Sequence, residues 1–225
     1  MQLGAALQLE YRGHGNPPTV TMHRGGIRLW EVAGRRVRSG TILSMRSERL
    51  TLRQWDPDSD SDLEVAFDIY RRASVAEWLS RPAKPWLSQT AARDRLRRWA
   101  NVSVEQPGFG LWAVVPDEVG HPVGTVLLVA LPDSAGDLTP DIEIGWHFHP
   151  DFWGRGYATE AAGAVLNHAF CNLRLDVVNA VAFEGNEASF AVMRRLGMTH
   201  RGSSDRWYGT RFEWWTAEAS NAGPR

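Results

Sequence analysis

The chain has 225 residues, a formal net charge of −1 and a single cysteine. This length suits one domain with an appendage, or at most two small domains. The near-neutral charge gives no field that would attract nucleic acid or an anionic membrane, so neither is expected as a partner. One cysteine excludes an internal disulfide framework, and no apolar run approaches the ~18 residues of a membrane span, so we expect a cytoplasmic protein.

Residues 1–44 differ in composition from the rest of the chain. They hold six arginines against two acidic residues, are rich in glycine and show no sustained hydrophobic period. Alternation over 27–32 predicts a strand that could pair with 36–42 as a hairpin. We therefore predict three parts: an arginine-rich N-terminal extension at 1–44, either a hairpin or disordered; a working domain at 45–216; and a frayed C-terminal tail at 217–225.

The sequence of the first half of the working domain predicts a strand, two helices and a hairpin of two strands. The helices are indicated by apolar residues at helical spacing, the first over 61–74 and the second capped by Thr90. Runs of apolar or alternating residues predict the strands. They are expected at 50–55, 110–115 and 124–131, and a loop at 134–139 follows them.

An alternating strand followed by a glycine turn forms the centre of the domain. In 142–148 the even-numbered residues are apolar and would face one side, whereas Glu143, Gly145 and His147 would face the other. Pro150 ends the strand because proline has no N–H for a ladder. Two glycines then precede an alanine-rich helix, where backbone N–H groups and the helix dipole attract an anion. We predict that a phosphate-bearing ligand binds at the start of this helix.

The remaining pattern completes the domain. Residues 175–183 favour a strand, and Asn186 starts another helix that has Gly197 as its C-cap. Terminal strands are expected at 207–209 and 211–216. This order of elements indicates an α/β (α+β) fold, in which a mixed sheet carries helices on both faces.

Two other interpretations of the glycine turn stay open at this point. One is a dinucleotide-binding fingerprint, since Asp176 lies 20 residues past Gly156. Against it, residues 149–153 separate the turn from the strand, and Thr159 stands at the third glycine position. The other is a purely structural turn. A Walker nucleotide site is not expected, because the Gly-Lys-Ser/Thr signature is absent from the sequence.

Several short motifs occur in a specific order and spacing. They are Ile142-Glu-Ile-Gly145, His149-Pro150, the run from Trp153 to Ala161, Asn186-Glu-Ala-Ser189, and Arg194-Arg-Leu-Gly-Met198. Together they resemble the GNAT superfamily of N-acetyltransferases, and within it the RimJ/RimL-like branch, over about residues 46–216. The resemblance implies the GNAT fold: a mixed, mostly antiparallel sheet with helices on both faces and central strands splayed at a bulge. It also implies direct transfer of acetyl from acetyl-CoA to a primary amine.

The resemblance further implies which residues bind the co-substrate acetyl-CoA. The family's Gln/Arg-x-x-Gly-x-Gly/Ala loop, which holds the pyrophosphate, maps onto 153–158, with tryptophan at its first position as is usual in this branch. Main-chain groups near Phe148 and the side chain of Asn186 would bind the pantetheine arm. No metal is expected. The predicted cofactor-binding residues are Phe148, Trp153, Gly154, Arg155, Gly156, Tyr157, Ala158 and Asn186.

Direct attack of an amine on a thioester needs a base, an oxyanion donor and an acid. Glu143 is the candidate base, through water, and His147 on the same face is the alternative. Glu143 could instead be a solvated or ion-paired strand carboxylate, and His147 a hydrogen-bonded wall residue. Many family members place the acid, a tyrosine, seven positions after the helix-start asparagine, but Met193 stands there in this sequence. RimJ/RimL-like enzymes carry a serine three positions after the asparagine, so Ser189 is the candidate acid, unless it is an ordinary first-turn residue.

Some questions stay open from the sequence. The acceptor could be a protein N-terminus or a small-molecule amine, and the protein could be a monomer or a homodimer. A non-catalytic acyl-CoA-binding module is the alternative function, and Met193 is its support. Glu160 is expected to stabilise the helix N-terminus, and Cys171 to be a core residue rather than a nucleophile. The possible acceptor-wall residues are Trp78, Trp86, Trp99 and Tyr208.

Overall fold

The computed structural model describes residues 44–219 and the backbone pairing of three short strands before them. These strands are Thr21–Met22 (β1), Arg28–Val32 (β2) and Arg35–Arg38 (β3). β2 pairs with β3 in antiparallel fashion, from Leu29↔Arg38 to Val32↔Arg35, where the sequence predicts a hairpin. The other residues of the predicted extension up to residue 43, and residues 220–225 of the predicted tail, lie outside the described residues. The division into extension, domain and tail therefore stays a prediction.

An eight-stranded sheet spans the described part of the domain. Its spatial order is β10-β11-β9-β8-β7-β6-β5-β4. Neighbouring strands pair antiparallel, except that β8 and β9 are parallel. The strands are Ser44–Arg46 (β4), Leu50–Gln54 (β5), Gly110–Pro116 (β6), Gly124–Pro132 (β7), Leu138–Phe148 (β8), Val177–Ala182 (β9), Thr199–Ser204 (β10) and Phe212–Glu218 (β11).

Helices cover both faces of the sheet and divide the core into two clusters. The two clusters follow from strand alternation: Val126 and Leu128 of β7 face one cluster, and Leu127 and Val129 face the other. α4 and α5 pack in the first cluster, and α1 and α3 in the second. The helices are Asp60–Tyr70 (α1), Ala73–Ala76 (α2), Gln89–Glu105 (α3), Tyr157–Asn167 (α4), which a π-helical turn at His168–Asn172 extends, and Glu187–Arg195 (α5).

The parallel pair at the centre of the sheet separates after one position. β8 and β9, both wholly described, pair through Glu143↔Asn179. The Asn179 side chain holds this point, because its amide donates to the carbonyl of Ile142 (3.1 Å) and its oxygen accepts from the Trp214 indole (2.9 Å). The splay that the sequence predicts is therefore confirmed. The irregularity in the β7–β8 ladder lies between Ala130 and Pro132, at the other end of β8.

Several predicted boundaries in the first half of the domain are wrong. The first helix ends at Tyr70 instead of residue 74, and the short α2 follows it. Ser88, rather than Thr90, caps α3, since its hydroxyl accepts from the N–H of Ala91 (3.2 Å). β8 starts at Leu138, inside the predicted loop, because the β7–β8 ladder continues beyond the apolar run.

Near the C-terminus, the strand predicted at 207–209 is a turn in which Tyr208 and Gly209 have positive φ (58° and 62°). The preceding strand is β10 instead, a polar, mostly exposed edge strand that hydrophobic alternation does not reveal. Cys171 is exposed, so its predicted place in the core is also wrong. It lies in the π-helical turn after α4, where the apolar stripe no longer faces the sheet in a regular period.

Candidate active site

A cleft of about 930 Å³ opens where β8 and β9 separate. Residues 143–148 of β8 form one side of it, and Val181 and Ala182 of β9 form the other. The loop before α4 and the first turns of α5 line one end, and residues around α2 line the opposite end. The splay thus brings together the strand, the glycine turn and the helix start that the sequence singles out.

The glycine turn presents its backbone to one end of the cleft. Gly154 and Gly156 have φ values of 76° and 81°, a left-handed conformation that glycine adopts without strain. Gly156 is the N-cap of α4, and among the described residues no side chain caps this helix. The first-turn N–H groups of Tyr157 and Ala158 are therefore available to a ligand, and the positive end of the helix dipole adds to their attraction for an anion.

Basic side chains surround this turn. The Arg49 guanidinium contacts the carbonyl of Arg155 (3.4 Å) and lies 3.5 Å from the place that a Cβ on Gly156 would occupy. The Arg155 guanidinium lies 5.1 Å from the centre of the Phe152 ring. Two cations beside an open helix N-terminus fit a diphosphate, whose oxygens need both positive charge and N–H donors.

Glu160 anchors the turn to the sheet. Its carboxylate accepts hydrogen bonds from the Ser47 hydroxyl (2.7 Å), the Arg49 N–H (2.8 Å) and the Arg49 Nε (2.8 Å). Burial alone would raise the pKa of Glu160, but these hydrogen bonds hold it below its usual value. Ser47 and Arg49 lie in the turn between β4 and β5, so Glu160 links the start of α4 to this turn. Its predicted role in stabilising the helix N-terminus stays a prediction.

The end of β8 and the turn are joined by a tryptophan. Trp153 is 48% exposed, and its indole N–H donates to the carbonyl of Phe148 (2.8 Å). Phe148 itself is buried, and its ring fills the space beside Gly124, where a Cβ would come within 2.5 Å of it. Because a carbonyl oxygen has two lone pairs, Phe148 retains one acceptor position toward the cleft.

The start of α5 places three predicted residues on the cleft. Asn186 is the N-cap, and its side-chain oxygen accepts from the N–H of Ser189 (3.1 Å). Ser189 is half-buried and lines the cleft. Met193, one turn further on, also lines the cleft and is 2% exposed. Asn186 therefore caps α5 through its side-chain oxygen, which leaves its side-chain amide nitrogen for other partners.

Glu143 is a buried carboxyl group with one phenolic partner. It is 5% exposed, and the Tyr208 hydroxyl donates a hydrogen bond to it. Burial raises the pKa of Glu143 to about 7, although the Tyr208 hydrogen bond acts in the opposite direction. A carboxyl group with this pKa exchanges protons near neutral pH, which is what a general base requires.

His147 faces the same side of β8 as Glu143. Burial lowers its pKa to about 4, so the imidazole is neutral at pH 7. Its Nδ1 lies 3.5 Å from the Tyr70 hydroxyl, which donates to Thr125 (2.6 Å). The structure thus brings both candidate bases to the cleft, but the pKa of Glu143 lies closer to neutral pH.

Some site residues were missed, or were seen without their role. The sequence offers Tyr208 only as a wall residue, and nothing in it pairs this tyrosine with a carboxylate 65 positions away. The left-handed turn places it there, and Gly209 was the available signal for such a turn. Arg49 was not singled out. Trp86 and Trp99 are buried against Tyr70 and do not line the cleft, whereas Trp78 does.

Two general features of the site region concern metals and membranes. Within the described residues, no three His, Cys, Asp or Glu side chains come together as a metal centre would require. Nor is any helix in that part of the chain long and apolar enough to cross a bilayer.

The fold and the turn before α4 together define a class of protein. The sequence matches the acetyltransferase (GNAT) domain family over residues 49–199, which is more than half of the chain. The chain belongs to the GNAT acetyltransferase family.

Individual relatives agree with this membership. The chain is 36% identical over 103 residues to FsC-acetyl coenzyme A-N(2)-transacetylase of Aspergillus fumigatus, a match that covers 44% of this chain and 43% of that protein. The chain spans less than half the length of the two curated relatives that it matches at 36% and 37% identity.

Solved structures share the fold at lower identity. An acetyltransferase from Agrobacterium tumefaciens superposes with a TM-score of 0.63 at 24% identity, covering 80% of this chain and 96% of that one. RimL, a ribosomal L7/L12 α-N-protein acetyltransferase in complex with coenzyme A, superposes with a TM-score of 0.60 at 18% identity, covering 76% and 95%. At these identities the likeness shows the fold alone.

Proposed function

We propose that this protein is an acetyl-CoA-dependent N-acetyltransferase that transfers acetyl directly to a primary amine. The observation that carries the proposal is the cleft itself. It joins an uncapped helix N-terminus, suited to a diphosphate, to the buried carboxyl group of Glu143 with a pKa near 7. One end of the cleft would bind the acetyl donor, and the other end would supply a base that deprotonates the acceptor.

The residues that line the donor end fit coenzyme A. The backbone of the predicted loop would bind the diphosphate, Arg49 would add positive charge, and the free lone pair of Phe148 and the amide of Asn186 would bond the pantetheine arm. When bound, acetyl-CoA supplies an acyl group already activated as a thioester. The loop residues assigned to it are Trp153, Gly154, Arg155, Gly156, Tyr157 and Ala158.

Glu143 is the proposed base. An alkylammonium has a pKa of about 10, so the acceptor must lose a proton before its nitrogen can attack the acyl carbon. Glu143 would take up that proton, directly or through water, while Tyr208 holds the carboxylate in place. His147 is the weaker candidate, because a group with a pKa of about 4 is a poor proton acceptor at neutral pH.

Ser189 is the proposed acid. As the carbon–sulfur bond breaks, the electron pair goes to sulfur, and the Ser189 hydroxyl would give it a proton. The hydroxyl would regain a proton from the acceptor nitrogen, which must lose a second proton to become the amide. Met193 occupies the position where many family members have a tyrosine, and a thioether has no proton to donate. Ser189 lies one turn before it on the same helix and lines the same cleft.

A paired measurement tests the proposal. Calorimetry with acetyl-CoA measures binding, and release of free thiol in the presence of primary amines measures transfer. We expect saturable binding and amine-dependent thiol release, with the acetyl group recovered on the amine. Binding without transfer to any small amine or peptide N-terminus would instead favour a non-catalytic acyl-CoA-binding module.

A further inference from the structure

The acceptor end of the cleft is lined by an apolar wall. We define the acceptor wall as Val75, Trp78, Leu79 and Phe212, which all line the cleft. Val75 belongs to α2, and Trp78 and Leu79 lie in the turn that follows it. Their backbone N–H groups donate to the carbonyls of Val75 and Ala76, respectively (3.1 Å each). Phe212 begins β11, and its ring lies 4.6 Å from the ring of Phe183. The wall is therefore built on ordered backbone.

This wall lies on the opposite side of the sheet from the donor helices. Its members pack in the core cluster that contains Tyr208 and Tyr70. Tyr157 of α4 and Met193 of α5 pack in the other cluster. The cleft therefore passes through the sheet at the splay, with Glu143 facing the wall. An acceptor that approaches Glu143 from the side of α2 must lie against these four residues.

The wall carries little negative charge. Among the described residues, the charged side chains that line the cleft are Glu143, Glu160, Glu187 and Arg195. The last three belong to α4 and α5 on the donor side. Glu143 is thus the carboxyl group that an acceptor meets at the wall, which suits one ammonium group and not several.

Three of the aromatic residues behind the wall have a guanidinium group near their rings. Guanidinium groups lie over the rings of this cluster at 4.6 to 5.6 Å from the ring centres. Arg206 is also ion-paired with Asp141 (3.0 Å), which offsets its charge, whereas the Arg81 guanidinium over Phe183 would repel the further ammonium groups of a polyamine or an aminoglycoside. The pairs are Arg81 with Phe183, Arg95 with Trp86, and Arg206 with Trp207.

The apolar character of the wall also disfavours an extended peptide. A peptide brings several main-chain N–H and C=O groups into the cleft, and each needs a partner when it is desolvated. Four apolar side chains do not supply such partners. A flat hydrocarbon body needs none, and it can stack or make edge contacts with Trp78.

We propose that the acceptor is a primary amine on a flat apolar body, such as an arylalkylamine, with the body against the acceptor wall and the nitrogen at Glu143. This assignment rests on the proposed acetyl transfer and names the class of acceptor for it. Trp78 is the specificity-determining residue, because it is the half-buried member of the wall and its indole is the largest surface offered to the acceptor.

Initial rates with three amines on the full chain test the assignment. The probes are phenethylamine, spermidine and a serine-initiated peptide, each at saturating acetyl-CoA. We expect kcat/KM for phenethylamine to exceed both others by at least about tenfold. Trp78→Ala should raise the KM for phenethylamine by at least about tenfold while the KM for acetyl-CoA stays unchanged. Val104→Ala, which shortens a 64% exposed side chain on α3 away from the cleft, is the matched control and should change neither.

The outcomes separate the acceptor class from the transfer reaction. Faster transfer to spermidine or to the peptide would overturn the acceptor class and leave the transferase proposal standing. An unchanged KM for phenethylamine in Trp78→Ala, with the far-ultraviolet circular dichroism of the wild type, would overturn the role of Trp78. Acetyl-CoA binding with no transfer to any of the three amines would contradict both proposals.

Discussion

The two ends of the cleft are built in different ways. The donor end consists mainly of contiguous backbone, the glycine turn and the first turn of α4, within six consecutive residues. The acceptor end consists of side chains from α2, β8 and β11, segments that are far apart in the sequence. Backbone recognition tolerates changes of side chain, whereas a wall of side chains changes its ligand with each substitution. In the proposed reaction, the donor end would bind the co-substrate and the acceptor end would determine the amine substrate.

The largest effect is expected from a substitution that disrupts the donor end. Gly156→Glu places a side chain at φ 81° and a carboxylate where the diphosphate would lie, so acetyl-CoA affinity should fall by more than about 100-fold. Calorimetry measures this loss. Gly120→Glu is the matched control, because Gly120 has a similar φ (76°) in the β6–β7 turn with no atom near its Cβ position. Equal affinity in the two variants would refute the loop assignment.

A smaller effect is expected where the two ends meet. Ser189→Ala removes the proposed acid but leaves the backbone N–H that Asn186 caps. We expect kcat to fall by about tenfold, with acetyl-CoA affinity retained. Steady-state kinetics that follow the release of the coenzyme A thiol measure this change. An unchanged kcat would show that Ser189 is an ordinary first-turn residue.

Tyr208→Phe tests the acceptor end through the pH dependence of kcat/KM. The phenol donates to the Glu143 carboxylate and so favours the charged form; its loss should raise the pKa of Glu143 above about 7. The acid limb of kcat/KM should move to higher pH, with a loss of a few-fold at pH 7 that largely recovers at high pH. A loss of equal size at every pH would indicate a structural role. Tyr157→Phe, which removes a hydroxyl bonded to Glu118 instead, should leave the acid limb unchanged.

The smallest effect concerns the anchor of the donor loop. Glu160→Gln weakens three hydrogen bonds from Ser47 and Arg49, and should lower the free energy of unfolding at pH 7 by about 1 kcal/mol. Because the folded pKa of Glu160 lies below its usual value, the difference from wild type should vanish as the pH falls through that folded pKa. Urea denaturation at pH 7 and in acid measures it.

Glu187→Gln is the control for the anchor. Its carboxylate is 75% exposed and lies 3.4 Å from Arg194, so its loss should change stability by less than about 0.5 kcal/mol. If both variants lose the same stability, Glu160 has no special place in the structure.

The same contrast explains what could be predicted from the sequence. Local signals carry the donor end: two glycines before an alanine-rich helix, a proline after a strand and an N-cap asparagine each predict a local geometry, and their order indicates the GNAT fold. The acceptor end depends on long-range contacts. The left-handed turn brings Tyr208 to Glu143, and no pattern along the chain announces that contact.

The wrong predictions have the same physical origin. A strand is predicted at 207–209 because the segment contains two aromatic residues. In the structure the segment is a turn, in which Trp207 is buried and its indole N–H donates to the distant residue Asp141 (3.0 Å). β10 lies at the sheet edge and is polar, so hydrophobic alternation could not mark it. Cys171 follows apolar neighbours but lies in a π-helical turn, which shifts it to the surface.

Whether Glu143 takes the acceptor's proton is tested most directly by measuring kcat and acetyl-CoA affinity in Glu143→Gln. Glutamine keeps the shape of the side chain and can still accept from Tyr208, but it cannot act as a base at neutral pH. From this role of Glu143 we expect kcat to fall by about 100-fold or more while the acetyl-CoA Kd stays within about twofold. A kcat and pH–rate profile equal to those of the wild type would contradict it.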